Sequence, residues 1–237
     1  MLLHGFTQTG ACLGPLSDDL ARDHTVRLPD LPGHGGSAML ARADLWHTAD
    51  LVAEACGTGI YVGYSMGGRA ALHLALAHPE LVDGLVLIGA TAGIEDSVDR
   101  AARVAADEAL ADRVTDIGVD RFLQEWLAQP LFADLPDWAR FDDERRANTA
   151  AGLAASLRHA GTGAMEPLWD RLGSIDVPVL CLAGEHDTKF TALAERLAAS
   201  IGPNATVGIV AGAGHAVHLE APDATIALVR NWLSRDL

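Results

Sequence analysis

The stretch Ile60–His78, IYVGYSMGGRAALHLALAH, decides the fold. An apolar strand-like run leads into Gly63, then Ser65, and alanine and leucine follow at helical spacing. Ser65 therefore belongs to a sharp strand-to-helix turn. Gly63 and Gly67 let the backbone fold tightly there, leaving the hydroxyl exposed at the positive end of the helix. G-x-S-x-G is weak on its own, because glycine and serine are common residues, and its context makes it informative.

Outward from this turn, short apolar runs alternate with longer helical patterns. MLL (1–3), HTVRLPD (24–30), GIYVGYS (59–65), GLVLIGA (84–90), VPVLCLAG (177–184) and TVGIVAGAG (206–214) read as six buried parallel strands. Such alternation predicts a mostly parallel, doubly wound α/β sheet. Residues 91–176 hold no strand-like run but several helical stretches, with Trp126, Trp138 and Trp169. One crossover helix needs far fewer residues. We read 91–176 as a helical cap inserted after the fourth of the six strands, over the carboxyl ends of the sheet where ligands bind in such folds. The expected organisation is one domain, 1–237, with its core in 1–90 and 177–237.

Composition narrows the function classes. A chain of 237 residues that is 49% hydrophobic can bury a full core. It shows neither an apolar run of about 18 residues nor a signal-peptide pattern, so a cytoplasmic protein without a membrane span is expected. The formal charge of −15 makes nucleic acid and anionic membranes poor partners. An anionic substrate then needs local positive charge from arginine, since Lys189 is the only lysine. Cys12, Cys56 and Cys181 are odd in number and embedded in apolar segments, which favours reduced core thiols.

A catalytic set follows in chain order. Asp187 stands after the strand in VPVLCLAGEHDTKF, and His215 after the last strand in AGAGHAVHLEAP. Ser65, Asp187, His215 is the order of an α/β-hydrolase triad, in which His215 takes the serine proton and Asp187 orients the imidazole. Glu185 and His218 compete for the same roles but stand less well at the strand ends. A metal site from Glu185, His186 and Asp187 lacks a second ligand cluster at a familiar spacing, and none is expected. LLHGFTQTG resembles a loop that completes an oxyanion hole, formed by the backbone N–H groups of Phe6 and Met66. His34, in the glycine-rich LPDLPGHGGS, reads as a structural loop residue. Arg69 lies on the same helical face as Ser65. Burying it there requires either a neutralising acid or a site that receives anions.

LHGFTQTG, LPGHGGS, GYSMGGR, WLAQPLF, GEHDTKF and AGHAVHLEAP together resemble, in order and spacing, the menaquinone-pathway synthases that eliminate pyruvate to form 2-succinyl-6-hydroxy-2,4-cyclohexadiene-1-carboxylate. The resemblance covers nearly the whole chain. The arginine after GYSMGG, the W-x-x-Q-P-x-F stretch and the D-x-K-F ending are its most selective parts. It implies the α/β-hydrolase fold, a serine acting as base on a carbon acid rather than as an ester nucleophile, and no metal or organic cofactor. It also implies that carboxylates of a small anionic substrate are bound by Arg69, Arg103, Trp126 and Arg145, with Arg146 or Arg158 as alternatives to Arg145. Family members usually carry further strands ahead of LHGF. Their apparent lack here implies an exposed sheet edge near HTVRLPD, and a monomer or homodimer of reduced stability. Two other readings remain open. A carboxylesterase or carbon–carbon bond hydrolase would use the same triad, and a binding module would keep the fold with a vestigial triad.

Overall fold

A computed structural model describes residues 1–40 and 42–236. Its regular elements run β1 (Leu2–Leu3), α1 (Gly14–Leu20), α2 (Leu45–Cys56), β2 (Gly59–Tyr64), α3 (Met66–Ala77), β3 (Val82–Ile88), α4 (Ser97–Leu127), α5 (Asp142–Arg146), α6 (Ala150–Ala160), β4 (Val179–Gly184), α7 (Thr188–Ile201), β5 (Ala205–Val210), α8 (Val217–Glu220) and α9 (Pro222–Asp236). The strands form one parallel sheet in the order β1-β2-β3-β4-β5. Successive side chains of a strand point to opposite faces. Leu3, Tyr61, Leu85, Leu87 and Cys181 accordingly join a core with α2, α3 and α7. Their neighbours Leu2, Val62, Val86, Ile88 and Leu182 join the opposite core with α1, α8 and α9. Two apolar faces per strand explain why the strands read as continuous hydrophobic runs rather than as alternating ones.

The structure departs from the sequence reading at the sheet edges. Residues 24–30 do not form a strand, and five strands are present among the described residues instead of six. The segment lies outside β1 and makes one backbone hydrogen bond to it, from Leu2 N to Arg27 O at 3.0 Å. A two-residue β1 offers little ladder to extend, and Pro29 has no N–H to contribute. The Asp30 carboxylate meanwhile accepts from the N–H groups of Gly10 and Gly36, which turns the chain away. The other edge, β5, is only half covered, since Val207 and Ile209 face outward.

The long helical segment follows β3, the third strand. Asp96 caps α4 by accepting from Val98 N and Asp99 N, and the helix is interrupted at Gly118, where φ is 76°. Residues of α4 and α6 share a small core of their own, Ala111, Val114, Phe122, Leu153 and Leu157, against which Phe6 from the β1 loop packs. No described helix is long and apolar enough to cross a membrane.

Four histidines are built into these cores. Burial pushes His4 and His73 down to about 4, and His34 and His218 down to about 3. They stay neutral in the folded chain but titrate near 6.5 once unfolded, so their stabilising share is complete above about pH 6.5 and is lost as pH falls toward 4. At pH 5 each favours the unfolded state by about 2 kcal/mol, which together approaches the whole stability of a typical domain. Urea unfolding should therefore show a large drop in midpoint between pH 7.5 and pH 5. Equal midpoints would contradict neutral burial of these rings.

Candidate active site

The site gathers at the carboxyl ends of four parallel strands, because each chemically important residue lies in the turn or loop that leaves one. Phe6 lies in the loop after β1, Ser65 is the turn residue between β2 and α3, Asp187 follows β4 and His215 follows β5. Ser65 holds φ 51° and ψ −105°, an uncommon conformation for a residue with a Cβ. The turn is tight enough that a Cβ on Gly63 would sit 2.4 Å from the carbonyl oxygen of Gly67, and one on Gly67 only 2.1 Å from that of Leu3. Both glycines are required by backbone packing, and the strain at Ser65 aims its hydroxyl into a cavity of about 210 Å³.

His215 and Asp187 are joined by an Nδ1···Oδ2 hydrogen bond of 2.8 Å. An ionised carboxylate only accepts, so Nδ1 carries the proton and Nε2 is left as the base. The second carboxylate oxygen of Asp187 accepts from Phe190 N at 3.2 Å, capping α7 and fixing the group's orientation. Its sequence neighbours are engaged elsewhere, Glu185 with Gly212 N and His186 with Asp134. His218, the alternative histidine, is fully buried beneath the Tyr64 ring, 4.5 Å away between centroids. Neither of its ring nitrogens has a partner among the described residues.

The backbone N–H groups of Phe6 and Met66, the two expected oxyanion donors, are not taken up by any acceptor among the described residues. Both residues line the cavity. The Phe6 turn is held by its surroundings: Gly5 N donates to Gln8 Oε1, Asn148 Nδ2 donates to Thr7 O, and Arg145 Nη1 donates to Thr7 Oγ1. His34 stays structural, its ring edge-on to His4 and Phe6.

Arg69, Arg103, Trp126 and Arg145 also line this cavity, so the tertiary structure brings every expected site residue together. Their states differ. Arg69 is 7% exposed and donates to Ala160 O at 2.6 Å, yet it pairs with no carboxylate among the described residues. Burial and then Arg103 hold it down at about 10, still charged near neutrality. Arg145 is 2% exposed and donates to Arg140 O and Thr7 Oγ1, again without a carboxylate partner. Arg103 is committed to buried Asp107 at 2.8 Å. Arg146 pairs outside with Asp120 and Asp143, and Arg158 with Glu108 and Asp112, so neither replaces Arg145 in the cavity. The buried indole Nε1 of Trp126 has no hydrogen-bond partner among the described residues.

The family model described as Alpha/beta hydrolase family matches residues 1–228. A 2-succinyl-6-hydroxy-2,4-cyclohexadiene-1-carboxylate synthase of Enterobacter sp. (strain 638) is 34% identical over 240 residues, 98% of this chain and 90% of that protein. The chain belongs to this synthase family of α/β hydrolases. The solved structure of MenH from S. aureus superposes with a TM-score of 0.91 at 31% identity, over 99% of this chain and 92% of that one. A malate-bound thermophilic esterase from Thermogutta terrifontis reaches 0.82 at 23% identity, over 99% and 88% of the two chains, a likeness of fold alone. The chain is thus an enzyme of the α/β-hydrolase superfamily.

Among the polar cavity residues that the sequence reading did not assign to the site are Gln8, Ser156 and Lys189. Lys189 had a signal, being the only lysine and two residues from Asp187. The other two had none, because facing the cavity is a matter of helix and loop packing.

Proposed function

We propose that the enzyme eliminates pyruvate from a succinyl-enolpyruvyl-hydroxycyclohexene-carboxylate precursor, with residues 91–176 acting as a cap over the triad. One observation carries this reading. Arg69 and Arg145 are buried against the Ser65 cavity without a carboxylate partner among the described residues, in a chain of net charge −15. Unpaired buried cations are costly. They are accounted for if the substrate brings its own carboxylates, and charge-assisted bonds in a partly dry pocket then bind it strongly. The orphaned N–H of Trp126 adds a neutral donor to the same lining.

In this chemistry Ser65, its own proton passed toward His215 Nε2, removes a proton from the carbon next to the substrate's carbonyl. The electron pair moves into the ring as a double bond, the existing ring double bond shifts, the carbon–oxygen bond to the enolpyruvyl group breaks with its pair leaving on oxygen, and the released enolate takes the proton at its methylene carbon to become pyruvate. Negative charge on the carbonyl oxygen is met by the N–H groups of Phe6 and Met66. Asp187 holds the imidazole tautomer and stabilises its cation. An esterase would instead use Ser65 as nucleophile, and the fold alone does not separate the two.

Pyruvate release from the precursor, coupled to NADH oxidation by lactate dehydrogenase, is the direct test. It is run beside a p-nitrophenyl ester. Rapid release with negligible ester cleavage is expected. Ester cleavage without release would overturn the proposal in favour of a hydrolase.

A further inference from the structure

The cavity holds four cations, Arg69, Arg103, Arg145 and Lys189. Arg103 is neutralised by Asp107. The other three pair with no carboxylate among the described residues, although acidic residues outnumber basic ones 32 to 17 and Arg113, Arg146, Arg158 and Arg230 each pair with an acid. Lys189 is exposed where the two arginines are buried, which places it on the open side. Its Nζ lies 5.6 Å from the centre of the Phe190 ring, and that ring packs 4.4 Å from His215. The nearest acid in sequence, Asp187, has both oxygens committed, to His215 and to Phe190 N.

The precursor named above carries three carboxylates, on its succinyl, enolpyruvyl and ring portions, against three unpaired cations. We propose that Lys189 is a specificity-determining residue that receives the enolpyruvyl carboxylate at the cavity's open side, an assignment that rests on the elimination reading. Two physical arguments select this carboxylate. The departing group must leave toward solvent while the remaining ring stays held, so its anchor belongs at the exposed side. A hydrated ammonium on a flexible stem also grips a carboxylate less tightly than the rigid, buried guanidiniums do, which suits release of pyruvate.

The test combines binding and kinetics on the full chain. Pyruvate and succinate are titrated separately, with tryptophan fluorescence as readout, against the wild type, Lys189→Met, Lys189→Arg and Arg69→Met. Lys189→Met is expected to weaken pyruvate about tenfold and succinate by less than about twofold, with recovery in Lys189→Arg; this is the scale of one charge-assisted contact. For the precursor, Lys189→Met should raise KM about tenfold while kcat changes by less than about threefold, the pattern of lost uniform binding. Pyruvate binding unchanged in Lys189→Met, lost equally with succinate, or absent from the wild type overturns the proposal. Weakened succinate in Arg69→Met with no effect of Lys189→Met overturns this assignment alone. No effect of either substitution on either acid overturns it together with the anion-binding reading of the cavity.

Discussion

Ser65→Ala is expected to lower pyruvate release by at least about 10³-fold, because it removes the hydroxyl that lines the cavity with His215 and that the elimination reading uses as the base. The loss should fall mainly on kcat, since the hydroxyl contributes little to holding a multiply charged substrate. Ser65→Gly should match it in lost activity yet differ in stability. At φ 51° a side chain is strained and glycine is not, so Ser65→Gly should gain about 1 kcal/mol over the alanine variant, roughly 2–4 °C in Tm for a chain of this size. Thermal melts of the two variants, read beside their turnover, separate a functional strain from a merely structural one. Equal Tm values would mean that the turn bears no strain, and retained turnover in either variant would remove Ser65 from the chemistry.

Arg69→Met gives the second large effect. Its guanidinium is buried with a carbonyl partner and no acid among the described residues, so methionine, which keeps much of the stem's packing, should leave the fold as stable as before or more so. Turnover of the anionic precursor should nevertheless fall by about 10²-fold or more in kcat/KM, while a neutral ester loses less than about fivefold. Steady-state kinetics on both substrates together with a melting curve decide the matter. Equal losses on both would mean that Arg69 shapes the cavity instead of binding carboxylate, and a marked drop in Tm would mean that it serves the fold.

Ester and precursor have to be compared because the scaffold is shared. The esterase from Thermogutta terrifontis superposes well at low identity, so sheet, elbow and strand order cannot report which bond is broken. What bears on the substrate in this chain is the charge lining the cavity, from Arg69 of α3, Arg103 of α4, Arg145 of α5 and Lys189 of α7.

The chain order of the triad, the glycines at the elbow and the length of the helical segment were legible in the amino-acid sequence. Each is local: a strand followed by G-x-S-x-G forces a tight turn whatever surrounds it, and a residue that ends a parallel strand must point toward the same end of the sheet as its counterparts. The false strand at 24–30 shows the limit of that logic. Val26 and Leu28 have strand-like composition, but pairing needs a neighbour with a ladder to offer, and β1 supplies two residues. The choice of Arg145 over Arg146 and Arg158 was likewise beyond sequence, since all three sit on neighbouring helices of one segment and only packing decides which guanidinium turns inward. Arg69 makes the distinction clearest. Helical periodicity placed it one turn from Ser65, but whether an acid neutralised it depended on Ala160 and Met165, more than ninety positions away. Local sequence thus determined where the backbone turns and which residues end the strands. Only the packing of distant helices decided which charges go without partners, because burial and ion pairing are properties of surfaces brought together by folding.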